Sequence, residues 1–303
     1  MSTTFTLRAA RMTDAQAVTD LFNEHSSSLY GVAEVTAEEI RQFWEAPDID
    51  PEQDAVLAEA GDGSLLAYGD IGDWGGEAIW LDVRGFDAEA QRAIIARLEV
   101  LAEAKRPGAQ LMGFVTENDT VVRRLYEECG YRIARHSFRM EADLAELPPE
   151  PPLPAGVAIR TVHDGEEERV YEVHQETFED VWMHTRDPYE EWVHWFLKDP
   201  SFDPSLWFIA EAGDDVAGIA ICRPQESRPG VGWVRVLGVR RPFRRRGVGE
   251  ALLRRAFAEF ARRGFERVGL GVDAASPTGA VALYERAGMR VAVTNLQYER
   301  VQR

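Results

Sequence analysis

The chain has little cysteine, no long apolar run and no sequence typical of a secretion signal. Only two cysteines, Cys129 and Cys222, occur in 303 residues, far apart and without a C-x-x-C spacing. This pattern predicts reduced thiols and excludes a disulfide framework or a cysteine metal site. No stretch approaches the roughly 18 apolar residues of a membrane span, and the first residues are neither basic nor apolar. We therefore predict a cytoplasmic, metal-free protein without a membrane partner.

The charge distribution excludes one class of partner and indicates another. A formal net charge of −18 argues against a nucleic-acid-binding protein. Residues 1–150 carry 13 basic and 29 acidic side chains, a net of −16, which leaves −2 for the remainder. Within that nearly neutral second half, arginines cluster between Arg235 and Arg255. A local basic site on an acidic protein predicts a small anionic ligand rather than a polyanion.

A proline-rich segment divides the chain into two pieces. Residues 146–156 include five prolines among eleven residues, which cannot continue a helix or a central strand and so predict an extended linker. The resulting domains, 1–145 and 157–303, look like copies of each other. The interval from an arginine in the opening strand to the tyrosine of a later Leu-Tyr-Glu is 118 residues in the first and 124 in the second.

The pattern of apolar residues predicts a mixed α/β fold in each piece, with a central sheet flanked by helices. In the second piece we predict strands up to Val239, a helix from about Gly249 to Arg263, a further strand, and a helix from Pro277 to Ala287. The first piece gives the same coarse order.

The clearest functional signal is the loop between Val239 and the helix that follows. It carries Arg244-x-x-Gly247-x-Gly249, in which the glycines allow the backbone to approach a ligand. Unpaired N–H groups at the helix start and the helix dipole then favour an anion. The pattern predicts a diphosphate site, and a solvated turn is the alternative. Neither GxxxxGK[ST] nor GxGxxG is present.

These segments resemble the GCN5-related N-acetyltransferases, the GNAT family. The acetyl-CoA motif of that family is matched by Arg244, Gly247 and Gly249, and its second motif by Ser276 followed by Leu283-Tyr284-Glu285. The resemblance is strong over 157–303 and weak over 5–145. The layout is similar to that of tandem members of the family such as mycothiol synthase.

The resemblance implies that acetyl-CoA is the co-substrate. In that family, the strand that corresponds to the one ending at Val239 splays from its neighbour and binds the pantetheine arm of the cofactor. The loop from Arg244 to Gly249 is then implied to bind the diphosphate. The residues implied to bind the cofactor are Leu237, Gly238, Val239, Arg244, Arg245, Arg246, Gly247, Val248, Gly249, Ser276 and Tyr284.

The resemblance also implies an N-acetyltransferase that moves an acetyl group to a primary amine of a small molecule or peptide by direct attack. Tyr284 matches the family tyrosine that acts as general acid, although its ring also fits core packing. Mycothiol synthase-like members carry a glutamate base where this chain has Trp233, which argues against mycothiol synthesis. His184 and Glu179 are candidate bases by location, because they follow the first helix, where the family builds its acceptor pocket.

Two further hypotheses concern the acceptor side and the first piece. Trp192, Trp195 and Phe196 have helical spacing, which fits a core stripe or an acceptor lining. The first piece keeps Asn118 and Tyr126 but has Asp87 and Glu89 in place of the glycine loop, so we predict a degenerate domain without cofactor. A coenzyme A-binding sensor without catalysis and transfer of a longer acyl chain remain alternatives.

Overall fold

The computed structural model describes residues 4–73, 76–147 and 152–300, which divide into two compact units. One unit contains the described residues up to Ser137 and those from Val293 onwards, and the other contains Phe138–Ala292. The units therefore differ from the predicted domains 1–145 and 157–303, because residues 138–145 belong to the second unit and residues 293–300 belong to the first. Of the linker at 146–156, positions 148–151 lie outside the described residues.

The first unit contains a mixed sheet with helices packed against it. Its strands are β1 (Phe5–Ala9), β2 (Ala55–Ala60), β3 (Leu65–Gly72), β4 (Ala78–Gly85) and β5 (Gln110–Thr116), and its helices are α1 (Ala15–Tyr30), α2 (Ala37–Trp44), α3 (Pro51–Asp54), α4 (Ala88–Lys105) and α5 (Thr120–Glu128). Strands β1 to β4 are antiparallel neighbours in chain order, and β4 pairs with β5 in parallel. Strand β6 (Tyr131–Asp143) starts in this unit and ends in the second.

The second unit repeats this topology. Its elements are β7 (Val157–Thr161), α6 (Glu167–Phe178), α7 (Tyr189–Phe196), β8 (Trp207–Ala212), β9 (Asp215–Pro224), β10 (Val231–Val239), α8 (Val248–Arg262), β11 (Arg267–Asp273) and α9 (Ala280–Arg286). Strands β7 to β10 are antiparallel neighbours, and β10 pairs with β11 in parallel. Strand β12 (Arg290–Arg300) starts here and ends in the first unit, where its residues 295–299 pair with β5. The predicted mixed α/β fold is confirmed.

The core of each unit follows from amphipathic helices packed on the sheet. In α8, Leu252, Leu253 and Phe260 are fully buried and Phe257 nearly so, which is the face that the sequence periodicity predicts. In α7, Trp192 is fully buried in a cluster with residues of α6, β8 and β9, so the aromatic stripe serves the core at this position. Within the described ranges, no helix is both long enough and apolar enough to cross a bilayer.

Candidate active site

Strand β10 separates from β11 halfway along its length. The parallel register runs from Val231 opposite Arg267 to Val234 opposite Leu270 and goes no further. On its other side β10 stays paired with β9 through Val239. The β11-facing edge of Leu237, Gly238 and Val239 therefore has peptide groups that β11 does not pair. Such an edge can bind an extended chain carrying amides, as an added strand would.

A β-bulge at Arg235 accompanies the separation of the strands. The β9–β10 register shifts between Val234 and Val236, which leaves Arg235 as the extra residue. Its guanidinium donates to the carbonyl of Trp195 at 2.5 Å and to Asp199 at 3.1 Å, and it lies 4.0 Å over the ring of Phe196. The bulge is thus fixed to α7 and the residues after it. No local sequence pattern predicts these contacts of Arg235.

Gly238 is a glycine because α6 packs directly on the strand. A Cβ built on it would lie 2.2 Å from Oγ1 of Thr177, a hydroxyl that donates to the carbonyl of Val173 at 2.8 Å. Any side chain would push α6 away from β10. Gly238 therefore sets the close helix–strand contact beneath the site.

The loop between β10 and α8 has the backbone of an anion site. Gly247 is the N-cap of α8 with φ 85°, and no side chain caps the helix. Arg245 also has a positive φ, 64°, an unusual conformation for a residue with a side chain. In the part of the chain that the structure describes, the first N–H groups of α8 thus have no side-chain acceptor, and the positive end of the helix dipole lies behind them. These groups fit the diphosphate of coenzyme A.

The arginines of this loop divide into engaged and available cations. Arg244 donates from Nε to the carbonyl of Val239 at 2.9 Å and from Nη1 to Asp180 at 2.6 Å. Arg245 and Arg246 are exposed, and within the described chain neither forms an ion pair. A phosphate can therefore meet the side chains of Arg245 and Arg246 without breaking an existing bond, whereas Arg244 shapes the loop. Asp180 was missed by the sequence reasoning.

Tyr284 combines a buried ring with an unused hydroxyl. It is 7% exposed and packs in the hydrophobic cluster of α8 and the sheet, so its ring is part of the core. Among the described residues the hydroxyl has no hydrogen-bond partner, and burial raises the pKa of Tyr284 to about 12. The hydroxyl is therefore protonated at neutral pH and can act as a proton donor.

The turn before α9 differs from the sequence expectation. The helix starts at Ala280, with Gly279 as N-cap at φ 75°, so the predicted start at Pro277 was wrong by three residues. The preceding residues form a turn instead, because the amide of Ser276 donates to the carbonyl of Asp273 at 3.1 Å. The hydroxyl of Ser276 pairs with that of Thr278 at 2.9 Å.

The two candidate bases lie in different environments. Glu179 is an exposed side chain that forms an ion pair with Arg241 at 3.4 Å. His184 is half-buried, and its Nε2 has no hydrogen-bond partner in the described part of the molecule. Burial lowers the pKa of His184, against the opposing charges of Asp187 and Glu179, so the ring is neutral at pH 7. The preceding Met183 has φ 57°.

Comparison with known proteins identifies the family. Residues 167–289 match the Acetyltransferase (GNAT) family. A mycothiol acetyltransferase of Geodermatophilus obscurus is 30% identical over 275 residues, which cover 81% of this chain and 82% of that protein. This chain belongs to the GNAT acetyltransferase family. As a GNAT protein it is an acetyl-CoA-dependent N-acetyltransferase.

Solved structures support the tandem arrangement of the GNAT fold. A GCN5-related N-acetyltransferase from Sphaerobacter thermophilus has a TM-score of 0.75 at 31% identity, and the match covers 97% of this chain and 95% of that one. A tandem GNAT protein from the clavulanic acid biosynthesis pathway has a TM-score of 0.75 at 15% identity over 98% of each chain. The second likeness concerns the fold alone.

In the first GNAT unit the helix that corresponds to α8 has an occupied start. Asp87 is the N-cap of α4, and its Oδ1 accepts the amides of Glu89 at 3.0 Å and Ala90 at 2.9 Å. A carboxylate thus takes the N–H groups that are uncapped in α8. A diphosphate would have to displace it and would be repelled by its charge.

The first GNAT unit also has side-chain bonds across the region where β4 and β5 end. The hydroxyl of Tyr126, the counterpart of Tyr284, donates to the carbonyl of Leu81 at 3.1 Å. His25 of α1 lies 3.2 Å from Asp119, and Asn118 donates to the carbonyl of Leu29 at 3.1 Å. These contacts tie α1 to the start of α5. The tyrosine hydroxyl is therefore hydrogen-bonded to the backbone in the first unit, whereas that of Tyr284 has no partner among the described residues.

Proposed function

We propose that the C-terminal half of the chain transfers the acetyl group of acetyl-CoA to a primary amine of a small molecule or peptide. The observation that carries this proposal is the uncapped, glycine-led start of α8 beside a strand that has separated from its neighbour. The corresponding helix α4 is capped by Asp87, which supports a single active half. The first half is, in this proposal, a degenerate domain without cofactor.

The residues of the second half fit acetyl-CoA as follows. The amides from Arg245 to Gly249 would hold the diphosphate, with the exposed guanidiniums of Arg245 and Arg246 beside it. The open edge of Leu237–Val239 would bind the pantetheine amides, and Ser276 would lie towards the cofactor from the turn before α9. When bound, acetyl-CoA supplies the thioester that the amine attacks.

Tyr284 is the proposed general acid. Its hydroxyl would give a proton to the sulfur as the bond to the acetyl carbon breaks, so that a thiol leaves rather than a thiolate. The pKa of about 12 keeps that proton in place until the sulfur becomes basic. The absence of a hydrogen-bond partner among the described residues leaves the proton free for this step.

His184 is the proposed base. An attacking amine must lose a proton, and a neutral imidazole can accept one at pH 7. The lowered pKa of His184 and the unpartnered Nε2 support this role. Trp233, at the place of the glutamate in mycothiol synthase-like relatives, has no basic atom. We therefore propose an acceptor other than the amine precursor of mycothiol.

Turnover of Tyr284→Phe tests the enzymatic proposal. Thiol release from acetyl-CoA is measured with a panel of small primary amines, and coenzyme A affinity by calorimetry. Loss of the general acid should lower turnover by about 100-fold and leave the affinity within about threefold, since a phenyl ring fills the same space. Tyr126→Phe is the matched control and should not alter turnover.

A coenzyme A-binding sensor without catalysis is the alternative; Trp233 at the place of the glutamate base favours it, whereas membership of the acetyltransferase family opposes it. The same experiment separates the two functions. A protein that binds coenzyme A, acetylates no amine of the panel and is indifferent to Tyr284→Phe is a sensor. Absence of coenzyme A binding would refute both.

A further inference from the structure

Asp180 holds two arginines of the loop between β10 and α8. It lies two residues beyond the end of α6, and its Oδ1 accepts from Nη2 of Arg241 at 2.7 Å. Its Oδ2 accepts from Nη1 of Arg244 at 2.6 Å. These hydrogen bonds, first that of Arg241 and then that of Arg244, lower the pKa of Asp180 to about 2. The carboxylate is therefore charged at neutral pH.

Through Arg244 the contact reaches the end of β10. The same guanidinium that binds Asp180 donates from Nε to the carbonyl of Val239, the last residue of the strand. Asp180, Arg244 and Val239 therefore form a continuous chain of bonds. It connects the residues after α6 with the residues that would hold the cofactor.

Asp180 belongs to the acceptor-side segment, which we define as residues 179–188 between α6 and α7. The far end of this segment is tied to α6, because Asp187 accepts at its carbonyl from the hydroxyl of Tyr171 at 2.7 Å and donates from its amide to Gln175 at 3.0 Å. Its near end is tied to the cofactor loop by Asp180 and by the ion pair of Glu179 with Arg241. His184, the proposed base, lies between the two attachments.

We propose that Asp180 is a positioning residue that couples coenzyme A binding to the order of the acceptor-side segment. The inference rests on the proposed function to the extent that coenzyme A binds at the start of α8. A ligand held by the amides after Arg244 restrains the loop. Arg241 and Arg244 then pass that restraint to Asp180 and so to the segment that carries His184.

The bonds of Asp180 need not break when an anion binds. Arg245 and Arg246 are exposed and have no ion-pair partner in the described chain, and the α8 amides are uncapped. These groups can serve the phosphates while Arg241 and Arg244 stay on Asp180. The opposite behaviour, in which phosphate takes Arg244 and frees the segment, would make Asp180 a competitor and not a coupling residue.

Amide hydrogen exchange of the full chain, with and without coenzyme A, tests the coupling. In the unaltered protein coenzyme A should slow exchange both in residues 247–252 and in the acceptor-side segment, the latter by at least about fivefold, the low end of coupling between linked sites. In Asp180→Asn the protection of 247–252 should remain and the effect on the segment should fall below about twofold. Asp180→Glu, which keeps the charge, should recover part of it.

Glu259→Gln is the matched control. Glu259 also binds two arginines, Arg262 at 2.6 Å and Arg263 at 2.7 Å, near the far end of α8, and its pKa is also lowered to about 2, chiefly by Arg262. This variant should keep both effects of coenzyme A. Retained protection of the segment in Asp180→Asn, or faster exchange there on adding coenzyme A to the unaltered protein, overturns the coupling alone. Protection of neither region overturns the proposed cofactor site and the coupling with it.

Discussion

Gly247 and Gly249 are glycines for different physical reasons. Gly247 has φ 85°, where another residue costs roughly 1–2 kcal/mol in backbone strain. Gly249 has an ordinary φ, and a Cβ on it would make only van der Waals contacts, 3.4 Å to Val239 and 3.5 Å to Leu283. The fold therefore does not require a glycine at 249. A diphosphate bound at the start of α8, as proposed, would require one.

Gly249→Val should separate ligand binding from folding. We expect coenzyme A affinity to fall at least about 100-fold, equivalent to roughly 2.7 kcal/mol, because the side chain occupies space intended for phosphate. The thermal midpoint should change by a few degrees at most. Gly61→Val, at an exposed turn where a Cβ meets nothing within 4 Å, is the control. Unchanged affinity in Gly249→Val would remove the case for a diphosphate site here.

At the residue scale the sequence predicts the loop better than it predicts partners. The spacing of Arg244, Gly247 and Gly249 located the helix start, because that pattern is local. It predicts Arg244 as a cofactor residue, but it gives no sign that the same guanidinium is bound to Asp180, 64 positions away in the chain. Tyr126 and Tyr284 stand in matching motifs, yet the hydroxyl of Tyr126 is hydrogen-bonded and that of Tyr284 has no partner among the described residues. Contacts between distant residues decide both differences.

At the scale of elements, α4 and α8 are the same helix of a repeated unit with different beginnings. The N-cap of α4 is Asp87, whose carboxylate accepts two backbone amides, and the N-cap of α8 is Gly247, which accepts none through a side chain. One choice stabilises the helix, and the other leaves its N–H groups for a ligand. The difference follows from the residue types and could be predicted from the sequence.

Replacement of Asp87 should affect stability through capping alone. Asp87→Ala removes the acceptor and should cost about 1 kcal/mol of unfolding free energy, whereas Asp87→Asn, an equally good N-cap, should cost little. Thermal or urea unfolding of the two variants measures the difference. Equal stabilities would mean that the cap contributes nothing. Coenzyme A binding should remain as in the unaltered protein, since the loop before α4 lacks the Gly-x-Gly backbone.

Element boundaries were predicted well where a periodic pattern defines them. The α8 helix runs from Val248 to Arg262 against an expectation of about Gly249 to Arg263. The bulge at Arg235 left no local pattern, because it depends on how neighbouring strands pair, and the separation of β10 from β11 was expected only from the family resemblance. The sequence also gives no sign that β6 and β12 each run from one unit into the other, because this too depends on how strands pair.

At the scale of the whole molecule, the carboxylates with altered titration fall into two groups. Arginines hold the pKa of many acids below its usual range, as at Glu166, whose pKa is lowered to about 2, chiefly by the hydrogen bond from Arg160. Among the carboxylates of the described ranges, Asp70 is the exception. Burial of its carboxylate, and then the charge of Asp82 directly opposite on β4, raise the pKa of Asp70 to about 7.

The sign of the resulting pH dependence follows from proton binding. An aspartate in the unfolded chain has a pKa of about 3.9. Between about pH 4 and pH 7 the folded first unit therefore holds a proton on Asp70 that the unfolded chain has lost. Unfolding free energy must fall as pH rises through this interval, and the stabilisation by the protonated group is fully present only below it.

Asp70→Asn mimics the protonated carboxyl and should remove this dependence. An asparagine keeps the size and polarity of the protonated carboxyl, while the repulsion from Asp82 is gone. At pH 8 the unfolding free energy of the variant should be higher than that of the unaltered protein by about 1–3 kcal/mol, since each pKa unit is worth about 1.4 kcal/mol. This difference should shrink towards pH 4. Differential scanning calorimetry at several pH values measures it. Asp62→Asn, at an exposed carboxylate whose pKa is lowered by bonds from Ser64, should gain nothing at pH 8. A pH-independent difference for Asp70→Asn would mean that Asp70 is ionised in the folded protein at pH 5 and that Asp82 does not oppose its charge.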